Sequence, residues 1–350
     1  MLALVVVVGV MVAAGAGAAF AMHSTTAGTE TAYTVPVVVG AVPYWDEPDA
    51  RTSIQTQGSA LTVASPWIYA AAADGSVQSQ PGVDATAERS QAAWLHGLGL
   101  KVVPTVADTT QGMWDPATVS ALIADPARRA AHVQALVDLA TTEGYDGIQI
   151  DYEDLTATDR DGFSAFVGEL GRALHTAGKL LYVTVHAKED DAGYDDRNKA
   201  QDYAAIGAAA DMVCVMAYDW HWSTSAPGAI APYDWVQRVI AYAVTQIPPG
   251  KVILGVGLFG YDWVGSQAAS LTWDQVIATA HQHAAAEQWD VGSQSPFFDY
   301  TDASGQQHEV WYENARSVDA KFDLARRAQI GGIELWRLGG EDPGIWDPGP

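Results

Sequence analysis

The stretch Gly144-Tyr145-Asp146-Gly147-Ile148-Gln149-Ile150-Asp151-Tyr152-Glu153-Asp154-Leu155 decides how this chain is read. Glycines punctuate its start, and polar and apolar residues then alternate. Strand side chains alternate between faces with period two. Gln149, Asp151 and Glu153 therefore share one face, and Ile148, Ile150 and Tyr152 the other. The apolar face suits packing against helices. The opposite face carries an amide and two carboxyls toward the strand's C-terminal end. Strands of parallel α/β sheets are usually buried on both faces. Carboxyls on such a strand cost desolvation energy unless they are paired or used.

Working outward, strands alternate with helical patterns, which predicts a parallel α/β architecture. Asp125 to Glu143 reads as an amphipathic helix leading into the deciding strand, with Ala130, Val133, Leu136, Val137 and Ala140 on one face. Strands are expected at 37–42, 61–64, 101–106, 180–187, 212–219, 252–259 and 331–336 besides the deciding one. Helices are expected at 88–97, 159–178, 203–210, 235–247 and 317–329. Eight strands in this rhythm predict a (β/α)₈ TIM barrel, whose sites gather at the C-terminal ends of its strands. Those ends carry Tyr44 and Trp45, Trp67 and Tyr69, Asp151 and Glu153, Tyr218 to Trp220, Tyr261 to Trp263, and Trp336. Aromatics repeated at one end of the strands predict a shared cleft suited to the C–H faces of sugar rings. The interval after strand seven is too long for one connection. It reads as a small α+β insertion over about 265–316, with Tyr261-Asp262-Trp263 passing into an irregular loop.

The chain has 350 residues and a formal net charge of −24, and 49% of its residues are hydrophobic. Such acidity argues against nucleic acid, which needs a basic face. Residues 1–22 are uncharged and apolar, long enough for a membrane anchor. They equally fit a signal peptide with Ala19-Phe20-Ala21 as its cleavage site. Residues 23–34 read as a linker and 35–350 as the barrel. Either reading of 1–22 exports the barrel, secreted or anchored at the cell surface. A monomer is expected. The single cysteine, Cys214, forms no internal disulfide and reads as a buried small hydrophobe.

Other motifs fail on context. Gly255-Val256-Gly257-Leu258-Phe259-Gly260 matches GxGxxG, but it extends a strand and does not open a helix. These glycines fit a close backbone approach at a barrel mouth. There is no GxSxG elbow, and the nine histidines show no zinc spacing. No cofactor or metal is expected. The carboxyl pair remains. Two acids this close do not both ionise easily, so one is pushed toward its protonated form. A protonated Glu at neutral pH is what a general acid needs to protonate a glycosidic oxygen. Neighbouring inward positions on one strand do not flank a sugar as a retaining pair does. The nucleophile must come from elsewhere, the substrate included.

Asp146-Gly147-Ile148-Gln149-Ile150-Asp151-Tyr152-Glu153 resembles the DGxxxDxE signature of glycoside hydrolase family 18, the chitinase family. Met216-Ala217-Tyr218-Asp219 is similar to the family's MxYD, and Trp336 to its subsite-floor tryptophan. The resemblance implies Glu153 as general acid and then base. It implies Asp151 as holder of the substrate's acetamido N–H and Tyr218 as partner of the acetamido carbonyl. Attack by that carbonyl would give an oxazolinium-like intermediate and retention. Asp219, Gln149, Trp336, Tyr44, Trp67 and Tyr261 would bind the N-acetylglucosamine-containing polysaccharide. Gln149 stands where chitinases often have Asp. That amide, with Ser65-Pro66-Trp67, Gly260-Tyr261-Asp262-Trp263 and Leu335-Trp336-Arg337-Leu338-Gly339, resembles the branch of bacterial spore-cortex-lytic and cell-wall N-acetylglucosaminidases and of di-N-acetylchitobiase. The expected substrate is peptidoglycan or chitooligosaccharide. The rival readings are a non-catalytic, chitinase-like lectin for amino-sugar glycans and a surface scaffold, which would leave the aromatic cleft unexplained.

Overall fold

Asp125 starts the helix that feeds the deciding strand. Its carboxylate accepts from the N–H groups of Ala127 and Arg128, both at 2.9 Å, and Pro126 sits where no N–H is needed. The helix runs Pro126–Thr142 with Val133, Leu136 and Ala140 buried. Ala130, expected on that face, is exposed. The place is taken by His132, whose ring stacks on Phe166 at 5.6 Å and whose Nε2 meets the Tyr152 hydroxyl at 2.7 Å. Gly144, at φ 75°, then turns the chain into the strand.

The computed structural model describes residues 36–347. The expected export segment 1–22 and linker 23–34 lie outside them. No helix among the described residues is long and apolar enough to cross a membrane.

Eight parallel strands close into the expected (β/α)₈ barrel. They are β1 (Val37–Pro43), β2 (Val63–Ala71), β3 (Lys101–Val102 continued by Thr105–Ala107), β4 (Gly147–Asp151), β5 (Leu180–His186), β6 (Met212–Met216), β7 (Val252–Gly257) and β8 (Gly332–Trp336). Pairing of β1 with both β2 and β8 completes the ring. The third strand, expected to be continuous, is interrupted at Val103-Pro104, because proline has no N–H for a ladder. The Pro104 carbonyl still accepts the Gln149 N–H at 2.9 Å, so β4 stays in register.

Between β7 and β8 lies a five-stranded antiparallel sheet in the order Gln267–Leu271, Gly260–Val264, Gln307–Tyr312, Ser295–Thr301, Gln288–Asp290. The helix Trp273–His283 accompanies it, and Val276, Phe298, Val310 and Tyr312 form its own core. Tyr261–Trp263 lies within a strand, and the irregular loop expected after it is instead a tight turn at 265–266 into the next strand. Tyr261–Trp263 pairs with the neighbouring Ala268–Ser270 on one side and with Val310–Trp311, from far along the chain, on the other.

The barrel interior is layered. Val39, Val63, Val103, Tyr182, Cys214 and Ile253 form a largely apolar floor. Above it Ser65, Thr105, Gln149, Thr184 and Glu334 are all buried. The outward residues Ile148, Ile150 and Tyr152 are fully buried against the helices, as the alternation requires.

Candidate active site

β4 ends at Asp151, so Glu153 leaves the strand on a turn that must be held. Three neighbours hold it. Asp108, just past β3, accepts the Glu153 N–H at 3.1 Å and the Asp154 N–H at 3.4 Å. His186, at the end of β5, donates from Nε2 to the Glu153 carbonyl at 2.8 Å. From behind, Gln201 donates to the Tyr152 carbonyl at 3.3 Å. Glu153 and Asp151 thereby face one cavity of about 870 Å³ at the C-terminal mouth of the barrel.

Asp151 is buried. One oxygen, Oδ2, accepts the Trp67 indole N–H at 2.9 Å. The other, Oδ1, is buried with no partner of ordinary hydrogen-bond geometry. Burial pushes the Asp151 carboxyl up to about 6, against the pull of hydrogen bonding from Trp67 and Glu153. Burial, and then the negative charges of Asp151, Asp108 and Asp154, hold Glu153 well above the usual carboxylate range, with Arg197 opposing them. Burial likewise raises Asp108 to about 7. The favoured state at neutral pH is one proton on Glu153 beside an ionised Asp151, two groups that titrate as a pair.

Gln149 lies one inward position below. Its Oε1 accepts from Ser65 Oγ at 3.1 Å, and its Nε2 donates to Thr184 Oγ1 at 2.9 Å and to both oxygens of Glu334 at 2.9 and 3.1 Å. Tyr218, Asp219, Tyr261, Trp67 and Trp336 line the same cavity. The Tyr261 hydroxyl donates to Asp219 Oδ1 at 3.1 Å. Tyr218 packs over β7, where an added Cβ at Gly255 would lie 2.8 Å from the Val215 carbonyl and 3.2 Å from the Tyr218 ring. That is the close approach expected of the GxGxxG-like run.

Tyr44 does not line the cavity. It stacks behind Trp67 at 6.1 Å and 15°, because β1 ends in a short 3₁₀ turn that carries its ring outward. Tyr69 points into the outer core, its hydroxyl donating to Glu88 Oε2 at 2.8 Å and lying 2.8 Å from the Tyr145 hydroxyl. Sequence reasoning passed over Asp108, His186, Glu334, Trp114 and Arg197. Asp108 directly follows a buried strand, and Glu334 sits two residues before Trp336. Glu334 was detectable as an acid at an inward position of a barrel strand, and Asp108 as an acid at a strand's C-terminal end. Among the described residues no group of three or more His, Cys, Asp or Glu could hold a metal ion.

With this geometry in hand, the comparisons with known proteins decide the family. The profile described as Glycosyl hydrolases family 18 matches residues 99–341. This chain belongs to glycosyl hydrolase family 18.

Among its relatives, the cortical fragment-lytic enzyme of Bacillus subtilis (strain 168) is 35% identical over 231 residues, covering 64% of this chain and 54% of that protein. A second protein of that strain, assigned as a sporulation-specific glycosylase, is 36% identical over 69% of this chain and 59% of its own length. The chain thus spans little more than half the length of these relatives. The di-N-acetylchitobiase of Rattus norvegicus is 28% identical over 61% of this chain and 66% of its own. The crystal structure of a chitinase from Chromobacterium violaceum superposes with TM-score 0.83 at 30% identity, covering 89% of this chain and 96% of that one. The spore cortex-lytic enzyme SleL of Bacillus megaterium gives 0.81 at 27% identity, with coverages of 90% and 73%. These relatives bear out the resemblance to the spore-cortex and chitobiase branch.

Proposed function

We propose that this protein is an exported retaining glycosidase that cleaves β-linked N-acetylglucosamine polymers with the help of the substrate's own acetamido group. One observation carries the reading: Glu153, held well above the usual carboxylate range, and Asp151, whose buried Oδ1 has no partner of ordinary hydrogen-bond geometry, line one cavity side by side. An acceptor left bare in this way suits the N–H of a bound acetamido group. In the first step Glu153 gives its proton to the glycosidic oxygen, the bond from that oxygen to the anomeric carbon breaks, and the acetamido carbonyl oxygen bonds to that carbon. Asp151 accepts from the acetamido N–H and offsets the positive charge of the oxazolinium ring. The Tyr218 hydroxyl donates to the carbonyl oxygen and orients it. In the second step Glu153, now a carboxylate, takes a proton from water as that water opens the ring, and the configuration is retained. Trp336 and Trp67 supply apolar faces for sugar rings.

The names of the cortex-lytic relatives favour peptidoglycan, and short N-acetylglucosamine oligomers fit the same chemistry. The test incubates the protein and Glu153→Gln with chitooligosaccharides and with purified peptidoglycan. New reducing ends from the native protein alone are the expected result. Binding by both proteins with cleavage by neither would replace the enzyme with a lectin. Asp151→Asn should lose most of its activity, and near-native rates in that variant would remove the acetamido assignment.

A further inference from the structure

The proposed reaction uses Asp151 and Glu153 but leaves one buried acid without a task. Glu334 is 5% exposed, lies on β8 inside the barrel and reaches the same cavity. Its hydrogen-bonding surroundings consist of donors. The Gln149 amide donates to both of its oxygens, and the Cys214 thiol donates from β6. These donors favour the charged form of Glu334, and burial opposes them. The sheet neighbours opposite Glu334 are Val39 on β1 and Gly255 on β7, neither of them titratable. The titratable groups that feel it are Asp151 from β4, Tyr182 from β5, and Cys214 and Tyr218 from β6 and its end. None of these is a cation. Asp151 and Glu334 therefore repel each other across Gln149 with nothing to neutralise either.

We propose that Glu334 is a charge-setting positioning residue, whose carboxylate fixes the Gln149 amide and keeps the catalytic proton on Glu153 while Asp151 is ionised. Gln149 itself carries no charge, so the charge of this layer comes from β8. Burial, reinforced by the charge of Asp151, places Glu334 at about 7, so it ionises after Asp151 and acts on the alkaline side of the profile. A further negative charge makes loss of the Glu153 proton less favourable.

The inference rests on the glycosidase reading, and its test separates the two. The pH profile of kcat/KM with a chitooligosaccharide is measured for wild type, Glu334→Gln and Glu334→Asp. The alkaline limb of Glu334→Gln should fall by about half a pH unit or more, the size expected for removing a nearby charge at intermediate dielectric. Its acid limb should stay in place, because there Glu334 is already protonated. Glu334→Asp should keep the wild-type alkaline limb. Lower activity in Glu334→Gln with both limbs in place would show a purely structural role and overturn the proposal. If Glu334→Gln does not fold, Glu334→Asp decides, and a fallen limb in that variant overturns it. A second readout needs no substrate: the protonated-carboxyl infrared band that Glu153→Gln removes should titrate away at lower pH in Glu334→Gln than in wild type. An inactive wild type with that band shift intact sinks the glycosidase reading alone. An active wild type with neither limb nor band moved sinks the role of Glu334 alone.

Discussion

Replacing Trp67 with Phe isolates one hydrogen bond in the site. The indole N–H of Trp67 is the donor to Asp151 Oδ2, at 2.9 Å, and Oδ1 has no partner of ordinary hydrogen-bond geometry. A phenyl ring keeps the aromatic packing with Tyr44, Trp45 and Trp114 at one ring's width less. What is lost is a donor to a charged acceptor, worth roughly 1.5–3 kcal/mol. At about 1.4 kcal/mol per pH unit, the Asp151 carboxyl rises by roughly one to two units. The sign follows from which form the bond favours: the N–H stabilises the ionised form, so its removal raises the pKa and moves the acid limb to higher pH. Asp151 stands at about 6 in the native protein. At pH 6 a rise of one unit cuts the ionised fraction from about half to about a tenth, a fivefold loss of kcat/KM. The assay is the pH dependence of kcat/KM on a chitooligosaccharide between pH 4 and pH 9. An acid limb that stays in place in an otherwise folded variant would refute the reasoning, because Trp67 would then serve only as a sugar platform.

Other substitutions probe the parts around this bond. Glu153→Gln should lower kcat by about 10²- to 10⁴-fold while oligosaccharide binding, read by calorimetry, persists. The same variant should melt at a higher temperature than wild type above neutral pH, since a group whose folded pKa is raised loses stability as pH climbs through it. Asp108→Asn leaves one of two backbone N–H groups without its acceptor, because the new amide offers a single carbonyl oxygen. It should cost about 1–3 kcal/mol in denaturant unfolding and reduce kcat more than it raises KM, as the turn bearing Glu153 loosens. Gly255→Ala drives a methyl to 2.8 Å from the Val215 carbonyl and 3.2 Å from the Tyr218 ring. It should destabilise the fold by roughly 1–3 kcal/mol and depress kcat through a displaced Tyr218, and wild-type kinetics would show that Tyr218 needs no such fit.

The barrel was legible because most of its strands are contiguous apolar runs bounded by glycine, proline or a helix cap. The deciding strand was legible for the opposite reason, since Gln149 and Asp151 interrupt an apolar alternation where polarity is costly. What escaped was assembled from distant positions. Asp108 and His186 hold the Glu153 backbone and Trp67 the Asp151 carboxyl, each from a different strand or strand end, and no local period links them. The polar layer of Ser65, Thr105, Gln149, Thr184 and Glu334 draws one residue from each of five strands, so in each run it reads as a single exception. The sheet that Tyr261–Trp263 joins was not legible, because its pairing with Val310–Trp311 depends on residues on the far side of a helix. Tyr44 was placed in the cleft because aromatics at strand ends look alike in sequence, and only the turn after β1 shows that its ring stands behind Trp67.

The ring of strands closes between β1 and β8, the first and last to be synthesised. Trp336 and Glu334 both ride on that closing strand. A ribosome must therefore deliver the chain past residue 336 before the cleft has its floor or its lower charge. Pairings of such large sequence separation form late and slowly. The complete cleft is thus a late product of folding, and a growing chain holds Asp151 and Glu153 before Trp336 and Glu334 have joined them.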